Sequence, residues 1–311
     1  MSAERDVPRA GGNERSEGAA ADHRSTGVSV VIPAFNEEGG IATVLAGVQA
    51  SLEPTAYEYE IIVVDDGSTD ATAETATAAG AQVVSLPENR GYGAALKAGI
   101  ALAEHNTIAI IDADGTYPAQ ALPELLDFAD RYEMVVGART KGDVHIPMVR
   151  RPAKWFLRRL ASYLARRPIP DLNSGMRVLS RPLVERFQHI LPSGFSFTTS
   201  ITLAALCSDI PVRYHPIDYR ARIGKSKIRA PHAFDFFVLV LRSVVYFNPL
   251  RVFLPLGGIL FLIGLVKLVQ DLFLSNISET AVLGFLGAAI VWAVGLLSDQ
   301  IARFSARPPI R

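Results

Sequence analysis

The amino-acid sequence predicts an α/β protein with a doubly wound, mostly parallel sheet, followed by a C-terminal pair of apolar helices. Two observations support this fold class. Between residues 28 and 138, short apolar runs alternate with Ala- and Leu-rich segments that are long enough for crossover helices. Later, residues 252–274 and 281–297 are apolar almost throughout. At roughly 1.5 Å per residue, each of these two segments can span or nearly span a bilayer core of about 30 Å.

Five apolar runs are predicted as buried parallel strands and four intervening segments as helices. The strands are VSVVIPA (28–34), EYEIIVVDD (58–66), AQVVSL (81–86), TIAIIDAD (107–114) and EMVVGA (133–138), and the helices are 40–51, 69–79, 92–104 and 119–131. Sheets of this kind bind ligands outside the carboxyl ends of their strands. Those ends carry Asn36, Glu37, Asp65, Asp66, Asp112, Asp114 and Arg139. We therefore expect a polar site at that edge.

The chain divides into five predicted parts. Residues 1–26 lack any apolar stretch and are expected to form a disordered tail. The α/β domain is assigned to 27–230, an interfacial helix to 231–250, a two-helix transmembrane hairpin to 251–299 and a second tail to 300–311. Lys+Arg and Asp+Glu both number 31, so the net charge gives no indication of a nucleic-acid partner. The one cysteine, Cys207, excludes an internal disulfide framework.

Two segments favour contact with a membrane surface. Residues 149–167 place Trp155 and Phe156 among several Arg and Lys residues, which is typical of a basic amphipathic helix on an anionic bilayer. An ordinary surface helix packed on the sheet is the alternative. Residues 234–247 are apolar on nearly every side and are predicted as a second interfacial helix.

The charges around the apolar pair predict its orientation. Arginines precede and follow the pair at 242, 251, 303, 307 and 311, whereas the loop between the two spans holds only Glu279. The positive-inside rule then places the α/β domain and both termini in the cytoplasm of a multi-pass membrane protein. Two buried core helices would be the alternative.

The motif Asp112-Ala113-Asp114 is a candidate metal site. In an extended segment, residues i and i+2 face the same way, so both carboxylates can converge on one hard cation such as Mg²⁺ or Mn²⁺. Such a cation stabilises the negative charge that appears on a leaving diphosphate. A solvated turn is the alternative for so short a motif.

Three further motifs point to phosphate and nucleotide chemistry. In DDGSTD (65–70), Asp65 is assigned to nucleotide binding, and the residues that follow Gly67 are assigned to helix capping. NRGYG (89–93) leads into a helix that carries Lys97, and such loops can bring backbone amides close to phosphate. DLNSGMR (171–177) and YRARIGKSK (219–227) hold cations that can grip a donor diphosphate and a lipid phosphate. The second cluster is also explained as a positive-inside flank.

In this order, the motifs resemble those of family 2 glycosyltransferases with the GT-A fold, and more narrowly the polyprenyl-phosphate sugar synthases such as dolichol-phosphate mannose synthase. The similarity runs through VVIPAFNEE, VVDDGSTD, NRGYGAALKAG, DADGTYP, VVGAR, DLNSGMR, GFSFTTSITLA and RIGKSKI into the hairpin, and it covers residues 28–297. The resemblance implies that a hexose (mannose, glucose or N-acetylglucosamine) passes from a nucleotide diphosphate sugar to a polyprenyl phosphate such as dolichyl or undecaprenyl phosphate, with inversion, at the cytoplasmic membrane face.

The resemblance also implies roles for individual residues. The nucleotide-sugar site would comprise Pro33, Asn36, Glu37, Asp65, Lys97, Asp112 and Arg139, with Mg²⁺ or Mn²⁺ on Asp112 and Asp114. The acceptor-phosphate site would comprise Ser174, Arg177, Arg222, Lys225 and Lys227. The catalytic set would be Asp114, Arg139, Arg222 and Lys225. Some relatives supply a third metal ligand as Gln where this chain has Thr116.

The expected acceptor is a phosphate because the sequence lacks the groups that a hydroxyl acceptor needs. A phosphomonoester has its second pKa near 6, so it is mostly ionised without a general base. Beyond Arg150, no adjacent Glu-Asp pair and no Q-x-x-R-W signature occurs before the hairpin. The alternatives are a transferase acting on a saccharide or glycolipid hydroxyl, and a non-catalytic membrane partner that binds nucleotide sugars. Two spans are few for moving a sugar lipid across a bilayer, so we expect a separate flippase or a downstream lipid-linked-sugar transferase. The sequence leaves the oligomeric state open, with a homo-oligomer as one alternative.

Overall fold

The computed structural model describes residues 27–141, 159, 162–163, 167–194, 196–219, 245–246, 248–274 and 278–305. In this part of the chain, seven strands form one sheet with helices on both faces, and two long helices follow. The strands are β1 (Gly27–Ala34), β2 (Glu58–Asp65), β3 (Gln82–Ser85), β4 (Thr107–Ile110), β5 (Met134–Lys141), β6 (Arg177–Ser180) and β7 (Val212–Asp218). The helices are α1 (Ile41–Leu52), α2 (Thr72–Ala78), α3 (Tyr92–Leu102), α4 (Leu122–Leu126), α5 (Arg181–Phe187), α6 (Phe197–Cys207), α7 (Leu250–Phe273) and α8 (Glu279–Ser305).

The strand order is β3-β2-β1-β4-β6-β5-β7. Strand β6 runs antiparallel to β4 and β5, and every other neighbouring pair is parallel. Alternate residues of β1 enter different cores: Val30 and Ile32 pack on one face, and Val31 packs on the other. Burial on both faces explains why the strand is a continuous apolar run. The predicted doubly wound, mostly parallel sheet is confirmed.

Strands β6 and β7 were not predicted from the sequence, and β6 changes the position of the DLNSGMR motif. The sequence placed residues 171–177 after the sheet, but Arg177 begins β6, which lies between β4 and β5. Strand β6 has four residues and β7 contains Pro216 and two charged side chains, so neither is the apolar run that marks a buried strand. As a result, DLNSGMR approaches the centre of the sheet.

The helices differ from their predicted ranges where side chains or prolines set their starts. Helix α2 starts at Thr72 rather than 69, because the Asp70 carboxylate accepts the Thr72 N–H at 3.1 Å. The predicted helix 119–131 is a 3-10 turn (Ala119–Ala121) followed by the short α4, which has Pro123 in its first turn.

The two C-terminal helices are long and apolar enough to cross a membrane. Their mean hydropathies are 2.4 (Leu250–Phe273) and 2.2 (Glu279–Ala302). Only 11% and 17% of the most apolar 18-residue stretch of each helix is buried. A core helix of a soluble protein would be mostly buried, so this exposure favours a lipid environment. The helices approach closely at two glycines, since a Cβ at Gly284 would lie 2.7 Å from the Gly264 Cα. This is the small-residue packing of membrane helices.

The start of α7 contacts the α/β domain. Val252 packs against a cluster formed by Ile169, Leu172, Leu203 and Leu206. Next to it, Arg251 Nη1 donates to the Tyr163 carbonyl at 3.4 Å. The hairpin is therefore connected to the domain by packing and a hydrogen bond as well as by the chain.

Several predictions fall outside the described residues. They include the 1–26 tail, most of the 149–167 and 234–247 segments, the end of the 300–311 tail, and Arg222, Lys225 and Lys227. The predicted domain boundaries remain predictions.

Candidate active site

The strand ends that carry the predicted site residues meet at one edge of the sheet. Asp65 ends β2 and pairs with Ala34 of β1, and Asp112 and Asp114 follow β4. Because β6 is antiparallel, its first residue, Arg177, lies at the same edge, opposite Ile110. The polar edge expected from the strand order is therefore present, and the loops that follow the strands lie at this edge.

The loops after β1 and β2 are fastened to each other. Asn36 has a φ of 51°, a left-handed conformation that asparagine tolerates better than most residues. Its N–H donates to Ser68 Oγ at 2.8 Å, and its Oδ1 accepts the Thr69 N–H at 2.8 Å. Asp65 Oδ1 accepts the Ser68 N–H at 3.1 Å. Asn36 and Asp65 thus lie beside one another at the edge assigned to the nucleotide.

Pro33 and Glu37 shape the same region through the backbone. Pro33 is buried in β1 opposite Val64. The Glu37 carbonyl accepts the N–H groups of Gly40 and Ile41 at 3.0 Å, so it starts α1.

Asp66 has a role that the sequence did not reveal. Its buried carboxylate accepts the backbone N–H groups of Arg90 at 2.7 Å and Gly91 at 2.9 Å. The end of β2 therefore holds the loop that leads into α3. An acidic residue beside Asp65 was visible in the sequence, but its partners lie more than twenty positions away, and no local pattern indicates them.

The two carboxylates of the D-x-D motif are held by different neutral donors. The Tyr92 hydroxyl donates to Asp112 Oδ1 at 2.9 Å. Thr116 donates to Asp114 Oδ1 through its N–H at 3.1 Å and its hydroxyl at 2.6 Å. Thr116, which stands where some relatives have a third metal ligand, thus supports Asp114 directly.

The electrostatics of this pair suit a divalent cation. Burial, and then the neighbouring Asp114, raise the pKa of Asp112 to about 6. A cation between the carboxylates would remove this penalty. The described residues contain no group of three His, Cys, Asp or Glu side chains that could hold a metal. Two carboxylates nevertheless fit Mg²⁺, which is usually held by one or two carboxylates together with substrate phosphates and water.

Near this pair, Arg139 acts electrostatically on Asp112 and forms a bidentate ion pair of its own. Its Nε and Nη2 donate to the Asp171 carboxylate at 2.7 and 2.8 Å. The guanidinium lies 5.2 Å from the Tyr219 ring centre, and that ring meets Tyr117 edge-on at 5.4 Å. Arg139 is fixed in orientation and remains partly exposed.

Two residues predicted to bind the acceptor phosphate are occupied elsewhere. Arg177 is fully buried, and its guanidinium donates to the carbonyls of Ser174 and Thr198 and to Thr202 Oγ1. Ser174 is also fully buried and donates to the Gly137 carbonyl at 2.5 Å. With their donors used inside the protein, neither side chain is placed to meet a phosphate. We correct both assignments to structural roles.

The predicted phosphate loop before α3 is likewise occupied. The N–H groups of Gly93 and Ala94 donate to the carbonyls of Gly194 at 3.2 Å and Ser193 at 2.8 Å, and the Lys97 ammonium donates to the Leu191 carbonyl. These groups fasten the 191–194 loop to α3. The assignment of Lys97 to the nucleotide sugar is therefore corrected to a structural one.

Together, the sheet order and the paired carboxylates after β4 define a glycosyltransferase domain of the GT-A type. Residues 29–187 match the family described as glycosyl transferase family 2, and residues 248–304 match a second family described as the GtrB C-terminal hairpin. The chain belongs to glycosyl transferase family 2.

Two similar curated proteins come from Haloferax volcanii. A dolichyl-phosphate hexose transferase is 33% identical over 203 residues, which cover 65% of this chain and 86% of that protein. A low-salt glycan biosynthesis hexosyltransferase is 32% identical over 209 residues, 65% of this chain, and the match spans half (50%) of its length.

The fold is also that of a solved enzyme. Glucosyl-3-phosphoglycerate synthase from Mycobacterium tuberculosis, crystallised with Mn²⁺, UDP-glucose and phosphoglyceric acid, superposes with a TM-score of 0.56 at 23% identity. The match covers 70% of this chain and 79% of that one. At this identity, the likeness establishes the shared fold.

Proposed function

We propose that this chain is an inverting glycosyltransferase that moves a hexose from a nucleotide diphosphate sugar to a polyprenyl phosphate at the cytoplasmic face of a membrane. The name of the Haloferax volcanii dolichyl-phosphate hexose transferase supports this acceptor class. The Mn²⁺ and UDP-glucose in the glucosyl-3-phosphoglycerate synthase crystals support a metal and a nucleotide sugar.

The observation that carries the proposal is the short path between the site and the hairpin. At the start of α6, Thr199 Oγ1 donates to Asn173 Oδ1 at 2.7 Å, two residues from the Asp171 that holds Arg139. At the other end of α6, Leu206 packs in the cluster that contacts Val252 of α7. Thr199 and Leu206 lie about 10 Å apart along the helix at roughly 1.5 Å per residue. An acceptor phosphate at the headgroup level of a bilayer would therefore be near the site.

On the donor side, Asn36 and Asp65 would bind the nucleoside, and Asp112 and Asp114 would hold Mg²⁺ or Mn²⁺. When bound, this cation supplies positive charge to the diphosphate as the bond to the sugar breaks. The two aspartates hold it in place, and Thr116 keeps Asp114 oriented through its two hydrogen bonds.

On the acceptor side, the residue contacts favour a phosphate over a hydroxyl. A hydroxyl acceptor needs a general base, and Asp171 is the acidic residue beside Arg139. Burial alone would raise the pKa of Asp171, but the hydrogen bonds and charge of Arg139 outweigh burial and lower it. Such a carboxylate is a poor base. An ionised phosphate attacks the anomeric carbon without one.

Arg222, Lys225 and Lys227 are proposed to bind the acceptor phosphate together with Arg139. They lie outside the described residues, but the chain leaves the described domain at Tyr219, whose ring lies against Arg139. The two membrane crossings, cytoplasmic termini, a homo-oligomer and a separate flippase or downstream transferase stay predictions.

The proposal is tested by sugar transfer in detergent. Full-length protein is incubated with Mg²⁺ or Mn²⁺, a polyprenyl phosphate, and radiolabelled GDP-mannose, UDP-glucose or UDP-N-acetylglucosamine in separate tubes. Label should enter the organic phase from one donor and should stay in the aqueous phase after chelation. Transfer that survives chelation would contradict the metal-dependent mechanism.

A parallel tube with a free polyprenol in place of its phosphate distinguishes the two acceptor classes. Label passing to the polyprenol would favour a hydroxyl acceptor. Binding of a nucleotide sugar with no transfer to either lipid would favour a non-catalytic partner.

A further inference from the structure

We infer that Tyr92 is a positioning residue of the metal site: its hydroxyl group holds the Asp112 carboxylate in the orientation that a divalent cation requires. This inference rests on the metal-dependent reaction proposed above. Tyr92 lies within NRGYG (89–93), but that motif was interpreted through its backbone amides, and the tyrosine side chain had no assigned role.

The backbone on which Tyr92 stands is fixed on two sides. On one side, the Asp66 carboxylate accepts the N–H groups of Arg90 and Gly91. Gly91 has a φ of 97°, which allows the sharp turn into α3. On the other side, the 193–194 carbonyls accept the N–H groups at the start of α3. Because this turn is constrained on both sides, the Tyr92 side chain can hold the Asp112 carboxylate in one place.

The Asp112 carboxylate is confined between Tyr92 and the backbone of the next segment. Its Oδ1 accepts the Tyr92 hydroxyl at 2.9 Å. Beside its Oδ2, a Cβ added at Gly175 would lie 2.2 Å away, so no larger residue fits there without moving the carboxylate. The Gly175 N–H donates to the Tyr117 hydroxyl at 2.7 Å, which fixes this second wall.

A tyrosine hydroxyl suits this position because it orients a carboxylate without neutralising it. An ionised carboxylate offers about four lone-pair sites, so one hydrogen bond leaves others for a cation. A tyrosine hydroxyl is protonated at neutral pH, so it acts as a donor here. A lysine or arginine here would instead compete with the metal for the negative charge.

The test measures Mn²⁺ binding directly on the full-length protein in detergent. Free Mn²⁺ is followed by its electron paramagnetic resonance signal, with metal alone and with GDP or UDP present. We expect Tyr92→Phe to weaken Mn²⁺ binding about tenfold, the low end of the range for residues that orient metal ligands. The matched control is Tyr214→Phe, because the buried Tyr214 hydroxyl has no hydrogen-bond partner among the described residues. The control should bind Mn²⁺ as the wild type does.

A kinetic readout separates positioning from general damage. In Tyr92→Phe, the Mn²⁺ concentration for half-maximal transfer should rise, and the rate at saturating Mn²⁺ should largely recover. Unchanged Mn²⁺ affinity in this variant, or equal weakening in the Tyr214 control, would overturn the inference and leave the proposed function standing. Failure of the wild type to bind Mn²⁺ under any condition would overturn the proposed metal site itself.

A second variant keeps the test open if Tyr92→Phe does not fold. Gly175→Ala pushes on the same carboxylate from the opposite side, because the new methyl group would overlap Asp112 Oδ2. It should also weaken Mn²⁺ binding. Wild-type affinity in Gly175→Ala would show that the placement of Asp112 does not govern the metal, which contradicts the role given to Tyr92.

Discussion

The proposed donor and acceptor sides of the site use their charged residues in opposite ways. On the donor side, the carboxylates of Asp112 and Asp114 are held by the neutral hydroxyls of Tyr92 and Thr116. On the acceptor side, the buried Arg177 donates its N–H groups to carbonyls and a hydroxyl. A carboxylate held by neutral donors keeps its charge for a cation, whereas an arginine with occupied donors cannot also bind a phosphate. The hydrogen-bond partners of a charged residue, more than its nearness to the site, therefore decide its role.

The largest effect should come from the donor side. Asp114→Asn keeps the size of the side chain and removes its charge, so the cation loses one of its two proposed carboxylates. Metal stabilisation is worth several kcal/mol, and about 1.4 kcal/mol is tenfold in rate, so transfer of labelled sugar should fall about a thousand-fold. The control Asp130→Asn changes an exposed carboxylate on the domain surface and should be as active as the wild type. Near-normal transfer by Asp114→Asn would contradict a charge-dependent donor side.

On the acceptor side, the buried arginine should matter to stability. Arg177→Met would leave the Ser174 carbonyl without the Arg177 donor and would leave the Thr198 carbonyl with the Thr202 hydroxyl alone of its two side-chain donors. A buried unsatisfied polar group costs about 1–3 kcal/mol. We expect a loss of about 3 kcal/mol of unfolding free energy, measured as a lower thermal midpoint in detergent. A variant with wild-type stability and a raised KM for the lipid acceptor would instead return Arg177 to the phosphate site, and the contrast between the two sides would fail.

The sequence predicted which strand ends meet at one edge of the sheet, because the signals for those strands are local. Strand ends such as Asp65 and Asp112 follow apolar runs, and the geometry of a parallel sheet brings those ends together. The acceptor side was predicted poorly because its contacts join distant segments. Arg177 lies in a four-residue strand that no apolar run marks, and Lys97 meets Leu191 ninety-four positions later. The motifs identified these residues but could not indicate which of their N–H donors are bonded to carbonyls inside the protein.

The hairpin offers a test of the close crossing between α7 and α8 and of whether that crossing affects the proposed donor side. Gly284→Ala would place a methyl group 2.7 Å from the Gly264 Cα, and such overpacking costs about 1–3 kcal/mol. The midpoint of thermal unfolding in detergent should fall, while binding of GDP or UDP should not change, because the proposed donor-side residues belong to the α/β domain and not to the hairpin. The matched control is Gly258→Ala in the same hairpin, where a Cβ meets nothing within 4 Å. Equal stability of the two variants would contradict the close helix crossing.

The smallest expected effect separates the two sides most directly. The Lys97 ammonium fastens the 191–194 loop, next to the start of α6, through the Leu191 carbonyl. Lys97→Met removes this bond but nearly keeps the length of the side chain. A hydrogen bond to a charged group is worth about 1.5–3 kcal/mol. Only part of this energy should reach the site, because other contacts also hold the loop. We expect a several-fold rise in KM for the polyprenyl phosphate. Because the same loop also fixes the start of α3 that carries Tyr92, the Mn²⁺ requirement should rise slightly, and KM for the nucleotide sugar at saturating Mn²⁺ should change little. Lys97→Arg, which keeps a cationic donor, should be closer to the wild type. A selective rise in KM for the nucleotide sugar would mean that Lys97 binds the donor diphosphate after all, because only a donor-side role would leave the lipid acceptor unaffected.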